Sequence, residues 1–291
     1  MKRWTFRVWG CLGAIYVVSG LLWLPVLLSG RGMATPLNTA LVALITFVPS
    51  AAGVVFTYLT KDREGRRDFW RRAWRWPSAS RLLLAGALAL YPLVVFAAYS
   101  LASLQAGTSL SFDYARALFS NLPLLLQFLF VEITFGPLSE ELGWRGYLLD
   151  ELQSRWSALR SALVLGIFWG LWHTPAFLVP GMTQYNMGGI FSAPYWGFVL
   201  TSLPISIVIT WAYNNTGRST LVAGILMHFL ANVTLVFLAG NLERFAVPAS
   251  YWVISPAINF AVAAVVVWIW GPKTLSRWAA RRPRQAAPFA G

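Results

Sequence analysis

The sequence predicts an all-α, polytopic membrane protein built as a bundle of about eight transmembrane helices. Of its 291 residues, 57% are hydrophobic and only 11% are charged, whereas a soluble domain carries roughly 25% charged residues. The apolar residues form continuous runs, not the alternating pattern of membrane barrel strands. Because these runs leave no room for a soluble domain of about 100 residues, we expect residues 1–291 to form a single membrane domain.

Eight apolar runs approach the roughly 20 residues that one membrane-spanning helix needs. The first run is longer than the core of a cleavable signal peptide, which has about 7–15 residues, so we expect it to remain as the first transmembrane helix. The runs are Val8–Leu28, Leu37–Leu59, Leu82–Leu104, Leu118–Leu138, Ser161–Leu178, Trp196–Tyr213, Leu221–Leu238 and Ile254–Trp270.

The basic residues predict how the helices are oriented. If the N-terminus is cytoplasmic, every lysine and arginine falls in a cytoplasmic segment except Arg31, Arg116 and Arg244. Cytoplasmic loops of membrane proteins carry such an excess of basic residues, so both termini are expected in the cytoplasm. The abundance of tryptophan, arginine and alanine favours a bacterial chain, and we therefore expect an integral protein of the bacterial cytoplasmic membrane.

The net charge of +13 is interpreted as contact with membrane lipid and not with nucleic acid, because the basic residues flank apolar runs. The basic cytoplasmic link 61–81 carries Trp70 and Trp74 four residues apart, which predicts a helix lying on the membrane surface. The segment 273–291 is basic and rich in proline and alanine, and we expect a disordered tail there.

Ionisable residues within the apolar runs are few, and they are costly there unless they are paired or hydrated. Only three of the ten acidic residues lie in or at the end of a run, whereas both histidines lie inside runs. Such residues are candidates for function. They are Glu132, Glu140, Glu141, His173 and His228.

The first motif is Ser-Glu-Glu-Leu-Gly-Trp-Arg at 139–145. Glu141 and Arg145 are four residues apart, so on a helix they can form an ion pair, while Glu140 points about 100° away from that pair. Gly136-Pro137 predicts a kink one turn earlier. A solvated helix end is the alternative interpretation of this motif. Glu132 should lie on the same face as Glu140, where it could either hydrate a cavity or pair with another helix.

The other two motifs supply imidazole and amide groups. His173 follows an aromatic segment, and His228 and Asn232 are four residues apart and so share a helix face. Each could alternatively be a packing residue that holds helices together. Taken together, the carboxylates, imidazoles and carboxamide suit either water activation with oxyanion stabilisation or the binding of one divalent metal. The HExxH, GxSxG and P-loop motifs are absent, and the single cysteine, Cys11, has no predicted base beside it.

In their order and spacing, the three motifs resemble the CPBP family of intramembrane proteases, which includes the type II CAAX prenyl endopeptidases and the bacteriocin-processing or self-immunity proteins. The resemblance covers residues 118–238, the expected catalytic core. The family usually has phenylalanine four residues before the second-motif histidine, and this chain has Trp169 there.

The resemblance implies an intramembrane endopeptidase that cleaves a membrane-associated or lipidated protein or peptide. Glu140 would activate water with the help of His173, and His228 and Asn232 would form the oxyanion hole. Glu141 and Arg145 would hold the first motif in place. No cofactor is favoured, because asparagine is a poor metal ligand and a good oxyanion donor.

Several alternatives remain open at this point. If a metal such as zinc is used, its ligands would be Glu140, His173 and His228. A non-catalytic immunity or scaffold protein of the same family is the alternative to an enzyme. A transporter is less well supported because the sequence has no matched halves.

Overall fold

The computed structural model describes residues 2–239 and 247–276. Across these residues the protein is helical and contains no strand, and eight helices are long and apolar enough to cross a membrane. The predicted all-α class and the number of spans are therefore confirmed. The first to eighth spans are Arg3–Ser29, Pro36–Thr60, Arg81–Gln105, Leu122–Gln153, Ala158–Leu178, Ala193–Asn215, Thr220–Ala239 and Tyr251–Trp270.

The fourth span differs from the predicted run Leu118–Leu138. It begins at Leu122 because the Asn121 side chain accepts a hydrogen bond from the Leu124 amide, which caps the helix. Leu118 lies in a separate short helix, Asp113–Phe119. The span then continues to Gln153, well past the predicted end, because the charged residues after Leu138 find partners inside the protein.

The fourth span lies in close backbone contact with the second. A Cβ atom added to Gly143 would lie 2.0 Å from the Pro49 carbonyl oxygen, and one added to Gly53 would lie 2.6 Å from the Gly143 Cα. The seventh span also approaches the fourth closely, since a Cβ atom on Gly224 would lie 2.8 Å from Glu141 Oε2. Small residues permit such close approach between membrane helices, and here they fix the first motif between two neighbouring spans.

The basic link contains the helix Arg63–Trp74, which we call the link helix. Asp62 caps it by accepting from the Gly65 amide. The helix predicted for this link is thus present, and its buried residues Phe69, Arg72 and Ala73 rest on the end of the bundle.

The links predicted to share one side of the membrane meet at one end of the bundle, which we call the basic end. Glu151, at the end of the fourth span, contacts Lys61 and lies 3.8 Å from Arg7. Arg72 of the link helix and Arg218 both contact Asp150. This arrangement is the one expected when successive spans alternate in direction. The side of the membrane that this end faces stays a prediction.

The first residues of the expected tail, 273–276, contact the bundle. The backbone carbonyl of Lys273 accepts from the Ala158 amide at 3.0 Å, and those of Thr274 and Leu275 accept from the side chains of Asn214 and Asn215. These bonds order residues 273–276 against the fifth and sixth spans. The rest of the expected tail, 277–291, lies outside the described residues, as does Arg244.

Candidate active site

The first motif begins at a break in the fourth span. The first helical segment ends at Thr134 and the next begins at Pro137, so the predicted kink at Gly136-Pro137 is present. Ser139 Oγ donates to the Gly136 carbonyl at 2.7 Å and closes the new turn. The break places Glu140 in the first turn of the second segment. It also removes the continuous helix on which Glu132 and Glu140 were predicted to share a face.

Glu141 and Arg145 form the predicted ion pair. Arg145 Nη1 donates to Glu141 Oε1 at 2.7 Å, and both side chains are fully buried. The same oxygen lies 3.0 Å from Nδ1 of His228 on the seventh span. Because a carboxylate oxygen accepts hydrogen bonds, Nδ1 of His228 carries a hydrogen. Nε2 of the same ring could donate only if the ring carried a second proton. Glu141 therefore orients His228, a contact that spacing along the chain did not predict.

Glu140 faces the fifth span. Its Oε2 accepts a hydrogen bond from Trp169 Nε1 at 2.7 Å, and its Oε1 lies 3.8 Å from His173 Nε2. His173 Nδ1 lies 2.8 Å from the Trp169 carbonyl oxygen. Because a carbonyl only accepts, Nδ1 of His173 is the protonated nitrogen, and in the neutral ring Nε2 offers a lone pair toward Glu140.

The helix containing His173 ends at this residue. The sequence placed His173 inside an apolar run, whereas the structure has the helix Ala158–Trp172, with His173 as its C-cap, followed by a 3-10 turn over Thr174–Leu178. Pro175 explains the change, since proline cannot continue the hydrogen bonding of a helix. The helix end allows the His173 ring to turn toward Glu140.

Trp169 joins the two halves of the site. Its indole N–H binds Glu140, its ring lies 4.5 Å from the Arg145 guanidinium carbon, and its ring centre lies 5.2 Å from that of His228 in an edge-to-face arrangement. From the sequence, Trp169 was notable only as a tryptophan at a position where the family usually has phenylalanine. The sequence could have indicated the hydrogen bond to Glu140, because tryptophan has an indole N–H donor that phenylalanine lacks.

Asn232 lies one turn beyond His228 on the seventh span, beside the break in the fourth. A Cβ atom added to Gly136 would lie 3.6 Å from Asn232 Nδ2. A larger residue at 136 would therefore press on this amide. The half-buried Glu132 is close by, since its carbonyl oxygen would lie 2.7 Å from the same Cβ atom.

The structure thus brings Glu140, His173 and Trp169 together, joins Glu141, Arg145 and His228, and places Asn232 at the adjoining break. We call the first six residues the glutamate–histidine cluster.

The predicted metal ligands do not form a metal-binding group. Within the described ranges 2–239 and 247–276, no three His, Cys, Asp or Glu side chains are grouped to hold an ion. Glu140 accepts from Trp169 through Oε2, and His228 contacts Glu141 through Nδ1, so these bonds leave Glu140 Oε1 and His228 Nε2 open. The alternative in which Glu140, His173 and His228 bind a metal stays a prediction.

Two comparisons with known proteins give a match. A family model described as type II CAAX prenyl endopeptidase Rce1-like matches residues 121–234. A curated protein of Methanococcus maripaludis named CAAX prenyl protease 2 is 31% identical over 225 residues, which cover 75% of this chain and 77% of that protein. The family-model match contains all three motifs.

Proposed function

Because the chain belongs to the type II CAAX prenyl endopeptidase Rce1-like family, we propose that it hydrolyses a peptide bond with water activated by Glu140 and His173. The family and the curated relative support a CAAX-type intramembrane protease. The observation that carries the proposed chemistry is the pairing of Glu140 Oε1 with His173 Nε2 at 3.8 Å, which is too long for a direct hydrogen bond and suited to one water that contacts both atoms.

In the first step, the water oxygen attacks the carbonyl carbon of the scissile bond and its proton passes to Glu140. Trp169 holds Oε2 of Glu140, which leaves Oε1 as the base. His173 Nε2 orients the same water, because its Nδ1 hydrogen is held by the Trp169 carbonyl. A positioned base of this kind contributes about 100- to 10,000-fold in rate.

The negative charge that develops on the carbonyl oxygen needs donors. Asn232 Nδ2 supplies one, and Nε2 of a doubly protonated His228 supplies the other. Glu141 supports this charged form of His228, since its Oε1 lies 3.0 Å from Nδ1. When the carbon–nitrogen bond breaks, Glu140 returns its proton to the leaving amine, and the carboxylate is regenerated.

The substrate we propose is the tail of a membrane-associated protein or peptide. The curated relative is named CAAX prenyl protease 2, and a lipidated tail would be delivered to the site by the membrane itself. The site lies within the spans, so a substrate anchored in the bilayer can reach it by lateral diffusion.

We also propose that the basic end faces the cytoplasm of a bacterial cell and that both termini lie there. The ion pairs that join the links after the second, fourth and sixth spans at one end support a shared side. Reporter fusions after Arg75 and after Arg284 should both give cytoplasmic signals. A periplasmic signal from either fusion would contradict this topology.

The proposed activity is tested by incubating the purified protein with a library of membrane-anchored peptides, prenylated and unprenylated. Wild type should cleave a subset of them, and Glu140→Gln should lower the rate by at least about 100-fold. Glu64→Gln, an exposed glutamate of the link helix, serves as the matched control and should retain the wild-type rate. Equal rates for wild type and Glu140→Gln would contradict the proposal. Absence of cleavage by wild type would favour the non-catalytic immunity or scaffold alternative.

A further inference from the structure

A cavity of about 590 Å³ opens at the basic end, away from the glutamate–histidine cluster. Cavities of roughly 300–1,000 Å³ are the size that holds small ligands. The first, fourth and sixth spans contribute to its wall, and Lys61 directly follows the second. The lining residues are Arg3, Trp4, Arg7, Lys61, Asp150, Glu151, Gln153, Ser154, Arg155, Asn214 and Arg218.

The wall of this cavity has an excess of positive charge, with five basic residues against two acidic ones. Both carboxylates are engaged by cations: Glu151 contacts Lys61, and Asp150 contacts Arg218. Over the described part of the chain, no carboxylate lies within ion-pair distance of Arg3 or Arg155. These two guanidinium groups therefore have charge available for an anion.

The side chain of Arg155 is held over the Trp4 ring at 5.1 Å. Gln153, Ser154 and Asn214 add neutral hydrogen-bonding groups to the same wall. Guanidinium groups bind phosphate oxygens through paired N–H donors, so this combination suits a phosphate ester.

The position of the cavity favours a lipid as the source of that phosphate. Because transmembrane spans end at its wall, it lies where headgroups meet the hydrocarbon region. Phe6 and Trp9, on the first span next to Trp4, are 55% and 41% exposed and offer an apolar surface for acyl chains. Basic pockets between spans bind anionic headgroups in this way.

We propose that the cavity at the basic end is a binding site for the headgroup of an anionic phospholipid, with Arg3 and Arg155 as the principal phosphate ligands. The proposal rests on the membrane fold and on the charges of the cavity, and it does not depend on the proposed proteolytic activity.

The test is a titration of the purified full-length protein with phosphatidylglycerol, followed by native mass spectrometry, with phosphatidylcholine as the zwitterionic reference. Phosphatidylglycerol should bind more tightly than phosphatidylcholine. The double variant Arg3→Gln, Arg155→Gln should weaken phosphatidylglycerol binding by roughly 10-fold or more, as expected for two basic groups at an anionic surface. Equal binding of the two lipids to wild type would overturn the proposal.

Matched variants separate the site from general charge. The double variant Arg31→Gln, Arg116→Gln removes two exposed cations from outside the basic end. Its affinity for phosphatidylglycerol should stay within about twofold of the wild-type value. Arg3→Lys, Arg155→Lys keeps the charge and should retain most of the affinity. The assignment would be contradicted if both glutamine double variants lost the same affinity for phosphatidylglycerol. Displacement of the lipid by glycerol 3-phosphate at equal concentration would show that a soluble phosphate, and not a lipid, is the ligand.

Discussion

Two groups of carboxylates in this protein differ in how far their charge is neutralised. At the basic end, Asp68, Arg72, Asp150, Tyr213 and Arg218 form a connected set that we call the charge network. Asp150 accepts from Tyr213 at 2.9 Å and contacts both Arg72 and Arg218, and Asp68 pairs with Arg72 at 2.7 Å. Each carboxylate there contacts at least two cations.

Glu140 has different surroundings. Within the part of the chain that the structure describes, no lysine or arginine lies within ion-pair distance of it, and its contacts are the indole of Trp169 and the imidazole of His173. Its neighbour Glu141 is paired with Arg145. A carboxylate that is paired with a cation thus holds helices together, whereas a buried carboxylate without a cation is available for proton transfer.

The largest expected effect on stability comes from Glu141→Gln. The change leaves the fully buried Arg145 without its counter-ion, and breaking such a pair costs about 3–5 kcal/mol. Thermal unfolding in detergent should show a large drop in Tm compared with Glu64→Gln. Because Glu141 also orients His228, the cleavage rate per folded molecule should fall too. An unchanged Tm would contradict the view that Glu141 stabilises the fold while Glu140 serves in proton transfer.

Asn232→Ala should lower kcat by about 100- to 1000-fold, as the loss of one oxyanion donor does. Tm should change little, because the amide is only half-buried. The matched control is Asn259→Ala on the eighth span, where the side chain binds the Ser255 carbonyl; its rate per folded molecule should equal that of wild type. Equal kcat values for the two variants would contradict the role of Asn232.

A smaller effect is expected for Trp169→Phe, which keeps a ring and removes the hydrogen bond to Glu140. We expect kcat to fall by about 10-fold with KM within about twofold, because a hydrogen bond to a charged group contributes about 1.5–3 kcal/mol. Trp172→Phe is the control, since it removes an indole N–H that binds Ser19 and not Glu140. Similar kinetics for the two variants would show that the Trp169 N–H does not position the base.

The smallest effect concerns Asp68 in the charge network. Burial alone would raise the pKa of Asp68, but Arg72 and Arg218 outweigh burial and hold the pKa below its ordinary value of 3.8. A depressed folded-state pKa adds stability above pH 3.8 that is lost as the pH falls through the folded value. Asp68→Asn should therefore lower stability at pH 7, by less than about 1 kcal/mol for a partly exposed pair.

The pH dependence provides the check on that small effect. The stability difference between wild type and Asp68→Asn should shrink as the pH is lowered below 3.8. Asp113→Asn, at an exposed pair with Arg116, should leave stability unchanged at pH 7. A difference for Asp68→Asn that grows in acid would contradict the assigned direction.

The spans and the Glu141–Arg145 pair could be predicted because both depend on spacing along one helix. An apolar run of about 20 residues predicts a membrane span, and residues four apart share a helix face. The predicted kink also followed from a local cause, the Gly136-Pro137 pair.

Contacts between spans could not be predicted in the same way. The bond from Glu141 to His228 and that from Trp169 to Glu140 depend on how three spans pack, and periodicity does not report which faces meet. The charge network joins Asp68, Asp150 and Arg218 from three separate segments. Its existence explains why the fourth span extends far beyond its apolar run.

The central claim is that Glu140 acts as a base toward water and not as a metal ligand. It is tested most directly by measuring the cleavage rate of wild type after exhaustive chelation, with the metal content checked by elemental analysis. We expect the full rate in metal-free protein, with Glu140→Gln still inactive. Loss of activity on chelation that one equivalent of zinc restores would contradict it.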